Sequence, residues 1–270
     1  MTSAVLPGTR FDAAFANRRD APLPGLIPYL TAGFPRRDET PQLLKAAQDA
    51  GAMALEVGIP FSDPLADGPT IQRAGWRALQ NGMTLKLAIE QVAEARMRGV
   101  TVPVALMTYL NPVLAYGISA AARDAREADV DGFILPDVPA GEADEIRDVL
   151  RTNGIALIPL VAPTTPEPRV ARIVSGATGF VYCVSVTGVT GMRDAVPGEA
   201  ITLLETVRRH TDLPRALGFG LSRHEHINAL QGHAEAAVVG SALIDAVEAE
   251  QEDAAGAVQR FCAALLGARD

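Results

Sequence analysis

The chain has 270 residues, 48% hydrophobic and 21% charged, with 32 acidic against 24 basic side chains for a formal net charge of −8. Such a composition buries a large core without disulfide or metal staples, which excludes disorder and the miniprotein classes. With an acidic balance and no run of basic residues, the counterion release that drives nucleic-acid binding has no source.

The first twenty residues lack the unbroken apolar core of a signal peptide, and the longest apolar stretch, Ile155–Ala162, is too short to span a bilayer. Cys183 and Cys262 lie far apart and read as small buried hydrophobes, which suits a reducing compartment. The expectation is a cytoplasmic protein with neither a nucleic-acid nor a membrane partner.

A helical run, Arg10–Arg19, precedes the first strand and is placed to plug the bottom of a barrel. Strands are expected at Leu26–Thr31, Ala52–Val57, Val104–Thr108, Gly132–Leu135, Ile155–Leu160, Gly179–Val184, Arg215–Phe219 and Ala236–Val239. Most intervals between them suit a strand, a crossover helix and two loops. The long interval between the second and third strands holds two helical runs, Thr70–Gln80 and Thr84–Arg98, parted by the turn dipeptide Asn81-Gly82. The interval after the sixth strand is lengthened by the glycine-rich segment Thr187–Gly198, ahead of a helix near Glu199. No linker composition interrupts the series, so residues 1–270 read as one domain. Runs such as Ile155–Leu160 and Ala236–Val239 are apolar on successive residues, as burial on both faces of a parallel sheet demands. That pattern fits a closed (β/α)8 barrel and an open doubly wound sheet equally.

Glu56 stands inside the apolar run Ala54-Leu55-Glu56-Val57, just before Gly58. Buried there, it would be pushed toward a pKa at which it can both donate and accept a proton near neutrality; a structural glutamate bonded to backbone or turned outward fits the same pattern. Asp67 follows in a loop stiffened by Pro60, Pro64 and Pro69, where it is placed either to return toward Glu56 or to cap the next helix; Asp63 is the rival carboxylate. Two carboxylates in unlike surroundings can divide acid and base roles. Three glycine-bearing segments follow the late strands: Gly188-Val189-Thr190-Gly191, Gly218-Phe219-Gly220-Leu221-Ser222 and Gly240-Ser241. Together they point to a phosphate held by backbone amides and by the positive end of a helix starting at Ser241. His224 and His226 are two apart and cannot grip one metal from a helix, and both lysines, Lys45 and Lys86, lie in helical runs away from strand ends. Neither a metal site nor a Schiff-base nucleophile is expected. What remains is carboxylate acid/base catalysis on a phosphorylated small molecule that carries its own electron sink.

These same segments resemble the tryptophan synthase alpha chain family over nearly the whole chain. The likeness is carried by Leu26–Pro35, Leu55–Pro69, Met107–Pro112, Asp131–Pro139 and Gly218-Phe219-Gly220, the second being very specific. The resemblance implies a (β/α)8 barrel with an extra N-terminal helix and an added helix between strands two and three. It implies cleavage of indole-3-glycerol phosphate to indole and glyceraldehyde 3-phosphate, with Glu56 as general acid/base and Asp67 stabilising positive charge at the indole nitrogen. Tyr29 and Tyr182 are implied substrate contacts, as are Thr190, Gly191, Gly218, Phe219, Gly220, Gly240 and Ser241 around the phosphate. No cofactor is implied in this chain. The resemblance further implies a beta-chain partner carrying pyridoxal phosphate, in an alpha2beta2 heterotetramer, docked on the Pro60–Asp67 loop and Pro136–Pro139, with Thr187–Gly198 as a lid. A stand-alone lyase and a non-catalytic scaffold remain open on sequence alone.

Overall fold

The computed structural model describes residues 9–18, 21–138, 143–184, 196–218 and 220–268. In chain order the elements are α1 (Arg10–Ala16), β1 (Gly25–Thr31), α2 (Thr40–Asp49), β2 (Leu55–Gly58), α3 (Pro69–Gln80), α4 (Leu85–Met97), β3 (Val104–Met107), α5 (Leu110–Tyr116), α6 (Ile118–Glu127) and β4 (Gly132–Ile134). There follow α7 (Asp144–Thr152), β5 (Ala156–Ile158), β6 (Leu160–Val161), α8 (Glu167–Val174), β7 (Val181–Val184), α9 (Gly198–Arg208), β8 (Arg215–Gly218), α10 (His224–Asn228), β9 (Ala236–Val239), α11 (Ser241–Ala249) and α12 (Ala254–Leu265).

All pairings are parallel, in the order β5-β4-β3-β2-β1-β9-β8-β7-β6. The two ends of that order are one strand. Pro159 stands between β5 and β6 and has no N–H to give the ladder, so the expected strand Ile155–Leu160 is split in two. Its carbonyl still accepts the Tyr182 N–H at 2.9 Å, so β5 faces β4, β6 faces β7, and the ring closes with eight stations. A closed barrel therefore replaces the open-sheet alternative. The second strand begins at Leu55 rather than Ala52, although the Met53 N–H already bonds the Leu26 carbonyl at 2.9 Å.

Strand residues alternate between two cores. Leu30, Val57, Leu106, Phe133 and Leu217 face the helices, and Ile27, Ala105, Ile134, Ile158, Ala216 and Val238 fill the barrel. Small residues on several strands leave room inside for α1, which is started by a capping box between Thr9 and Asp12. Phe11 and Phe15 of α1 pack on Phe180 with ring centroids 5.3 and 5.7 Å apart. Gly132 sits beneath Phe11, where a Cβ would approach the ring to 3.1 Å. The expected bottom plug is present, ending at Ala16 rather than Arg19. Buried Asp131 ties it down, accepting from Arg10 (3.2 Å), Arg96 (2.7 Å) and the Val104 N–H (2.8 Å).

The two helices expected between β2 and β3 are α3 and α4. Asn81 ends α3 and donates from Nδ2 to the Gly33 and Pro35 carbonyls, and Gly82 takes the left-handed conformation, φ +78, that the turn requires. Thr84 caps α4, accepting the Leu87 N–H at 3.2 Å. With its lower end plugged, the barrel is open for chemistry at the carboxyl ends of its strands.

Candidate active site

Glu56 lies on β2, in register between Tyr29 of β1 and Ala105 of β3. It points into the barrel and is 1% exposed, and neither carboxylate oxygen has a hydrogen-bond partner among the described residues. Burial lifts its pKa to about 8. The Tyr182 hydroxyl, facing it short of strict hydrogen-bond geometry, pulls the value back, and the charge of Asp67 adds to the rise. Glu56 is thus neither bonded to backbone nor turned to solvent.

Asp67 comes over the rim on the loop between β2 and α3. It does not cap α3, whose N-cap is Gly68 with Pro69 at the first helical position and no side-chain cap bond. Tyr109, at the start of α5, holds the loop instead. Its hydroxyl accepts the Ala66 N–H at 2.9 Å and faces the Asp67 carboxylate short of strict hydrogen-bond geometry, while its ring packs against Phe61 at 5.4 Å. Burial raises the Asp67 pKa and the Tyr109 hydroxyl opposes that rise. Asp63, the rival, is exposed, bonds Ser62 at 2.5 Å and does not line the cleft. Tyr109 is the residue that sequence reasoning passed over: it was legible only as part of Met107–Pro112, because nothing in a lone tyrosine announces which loop its hydroxyl will reach.

The cleft above these carboxylates has a volume of about 1180 Å³. Tyr29, Glu56, Asp67, Tyr182, Gly218, Gly220, Gly240 and Ser241 all line it, so the structure brings together every expected site residue that it describes. Thr190, Gly191, Phe219 and most of Thr187–Gly198 lie outside the described residues. Leu135, Leu157, Leu160 and Val238 add apolar wall to the same cleft.

Tyr29 and Tyr182 are both buried, and burial first, with nearby carboxylate charge second, holds both phenols well above their ordinary pKa. They remain hydroxyl donors at any working pH. Two glycines exist because of them: a Cβ on Gly218 would strike the Tyr182 ring at 2.6 Å, and one on Gly58 would collide with the Tyr29 hydroxyl. Gly218 therefore makes room for a tyrosine, a role the phosphate argument had not given it. At the opposite wall Gly240 is the N-cap of α11 and Ser241 its first residue, so the unpaired first amides and positive end of that helix meet the cleft.

The histidines are dispersed. His210 contacts Glu167, His233 contacts Glu205, His224 meets the Leu265 carbonyl and His226 the Ser222 amide. Lys45 and Lys86 pair with Asp49 and Glu90 on the outer helices α2 and α4. Among the described residues no three metal-ligating side chains converge, and no helix is long and apolar enough to cross a membrane. The arrangement can move a proton at one end of an apolar slot while holding an anion at the other.

The tryptophan synthase alpha chain family model matches residues 15–268. The tryptophan synthase alpha chain of Roseiflexus castenholzii is 49% identical over 240 residues, covering 89% of this chain and 92% of that protein. The corresponding protein of Chloroflexus aurantiacus is 46% identical over 261 residues, covering 96% and 98%. Among solved structures, tryptophan synthase of Mycobacterium tuberculosis superposes with a TM-score of 0.89 at 32% identity, over 97% of this chain and 98% of that one. The alpha2beta2 complex of Pyrococcus furiosus, described as showing mutual activation, contains a chain that superposes with a TM-score of 0.85 at 41% identity, over 90% and 98%. On a match of this extent in both sequence and fold, the chain belongs to the tryptophan synthase alpha chain family.

Proposed function

We propose that Glu56 and Asp67 divide the proton handling in this lyase's reaction, the retro-aldol cleavage of indole-3-glycerol phosphate to indole and glyceraldehyde 3-phosphate in tryptophan biosynthesis. The observation that carries the assignment is the inward, unpartnered Glu56 carboxyl, held protonated up to a pKa of about 8. Protonated Glu56 gives its proton to the indole carbon that bears the side chain, and the ring becomes a cation with its charge at nitrogen. Asp67, kept at the rim by Tyr109, faces that charge. Glu56, now a carboxylate, takes the proton of the adjacent side-chain hydroxyl. The carbonyl forms, the carbon–carbon bond breaks, and its electron pair returns to the ring. One proton is given and one recovered, so Glu56 ends as it began.

Tyr29 and Tyr182 bound the indole end in this reading. Gly218, Gly220, Gly240 and Ser241, with Thr190, Gly191 and Phe219, form the phosphate end, and Thr187–Gly198 closes over it. The reading takes residues 1–270 as one barrel domain, acting in the cytoplasm and needing no cofactor of its own. Pyridoxal phosphate belongs to the beta chain, which joins this chain in an alpha2beta2 assembly through the Pro60–Asp67 loop and Pro136–Pro139; Pro139 lies outside the described residues. An indole-release assay tests the roles. Glu56→Gln abolishes turnover while inorganic phosphate still binds, and Asp67→Asn lowers kcat more than it changes KM. A Glu56→Gln enzyme with full turnover would remove the assignment.

A further inference from the structure

The loop after β8 bends at Gly220, φ +34, and both Gly220 and Leu221 line the cleft. The next residue fixes that bend from behind. The Ser222 N–H donates to His226 Nδ1 at 3.2 Å, whereas the Ser222 hydroxyl is buried with no partner among the described residues. His226 is 4% exposed and is the one buried histidine of the chain. To accept this bond Nδ1 must keep its lone pair, so the ring proton sits on Nε2. The ring is carried by α10, whose N-cap Arg223 makes no side-chain cap bond, and is anchored beside fully buried Ile227. A half-buried amide at the end of a glycine turn is thus satisfied by a buried ring one helical turn later.

We propose that His226 is a positioning residue for the anion end of the site: by accepting the Ser222 amide it holds residues 220–222 in the shape that presents their backbone to the substrate phosphate. The proposal rests on the phosphate reading above and adds to it a residue outside the cleft. His226 touches no substrate. Its removal therefore weakens binding of the anion and leaves the chemistry at Glu56 alone.

The test uses three variants of the full chain. His226→Leu keeps the bulk and removes the acceptor, His226→Gln carries its amide oxygen one bond further out than Nδ1, and His226→Asn places an amide oxygen the same number of bonds from the backbone as Nδ1. For His226→Leu and His226→Gln, KM for indole-3-glycerol phosphate and the dissociation constant for inorganic phosphate are expected to rise about tenfold, the scale of a lost backbone-amide hydrogen bond, with kcat within about twofold of wild type. His226→Asn restores both constants. A role confined to folding would shift the melting temperature without separating KM from kcat. If His226→Leu fails to fold, the contrast between Asn and Gln decides. Phosphate binding unchanged in the Gln variant, no rescue by Asn, or a fall in kcat with KM unmoved overturns the positioning role. Failure of the wild-type chain to bind inorganic phosphate overturns the anion reading itself, and the positioning role with it.

Discussion

A carboxyl taken into an apolar strand, with no well-formed hydrogen bond to offset its burial, must stay protonated or lose solvation it cannot recover. Glu56 is in that position, and the consequence is a pH dependence with a definite sign. In the unfolded chain it loses its proton near the usual 4.5; in the folded chain it keeps it to about 8. Between those values the folded state binds a proton that the unfolded state has released, so stability falls as pH rises across the window and levels off above it, each unit of the shift being worth about 1.4 kcal/mol. Glu56→Gln has no such slope. Its melting temperature is expected to gain on wild type steadily from pH 5 to pH 8, and parallel curves would show that Glu56 is not held protonated. The active form is the same protonated one, so kcat/KM of the wild type falls as pH rises through about 8. Tyr109→Phe removes the hydroxyl that holds Ala66 and Asp67. Loss of the backbone-amide hydrogen bond costs about 0.5–1.5 kcal/mol, so kcat is expected to fall roughly 2- to 10-fold with little change in phosphate binding. Glu56 was legible in the sequence because a charge within an apolar run is an anomaly that demands a use. Tyr109 was not, since its work lies in a contact between two loops 43 positions apart in the chain.

Elements were legible where their period and punctuation agreed. Ala236–Val239 is a strand in sequence and structure alike, and α3 and α4 part at Asn81-Gly82 as the dipeptide demands. The miss at Pro159 has a simple cause: hydrophobicity continued through Leu160, but a ladder needs an N–H and proline has none. The barrel tolerates the gap because the Pro159 carbonyl still serves Tyr182, the residue opposite Glu56. The alternation of strand and helix could not by itself say whether the sheet closes, since closure depends on which strand meets β7. At the other end, α1 does for the barrel floor what loops do for the roof. Phe11 is 1% exposed against Phe180 and Gly132. Phe11→Ala should cost about 3–5 kcal/mol, the range for emptying a buried aromatic site. Urea unfolding followed by circular dichroism measures it, and a loss under about 1 kcal/mol would mean that α1 is a loose appendage rather than part of the core.

On the scale of the whole molecule, the site is divided between a rigid part and a part that hangs on one helix end. Glu56, Tyr182 and the glycines after β8 and β9 belong to the closed ring, which the α1 plug and the Asp131 ion network hold from below. Asp67 belongs to a loop whose Leu65 is 88% exposed, an apolar side chain left in water that a docked partner would cover. The start of α5 joins this loop to the second proposed docking segment. Tyr109 holds Ala66 and Asp67, and the next residue, Leu110, gives its amide to the Asp137 carboxylate at 2.9 and 3.0 Å. A beta chain bound across both segments would therefore restrict the Asp67 loop through α5, and turnover at saturating indole-3-glycerol phosphate is expected to rise when that chain is added. Asp137→Ala cuts the tie between the segments and leaves Glu56 and Asp67 in place, although Asp137 itself lines the cleft. It is expected to keep most of the basal rate of the isolated chain while losing several-fold of the activation, a loss consistent with coupling free energies of about 1–3 kcal/mol. Titrating the beta chain against wild type and Asp137→Ala, with binding measured in parallel, separates weak docking from weak coupling. If the variant binds and is activated as fully as wild type, the start of α5 does not carry the signal; if wild type is not activated at all, the Asp67 loop is already fixed in the free chain.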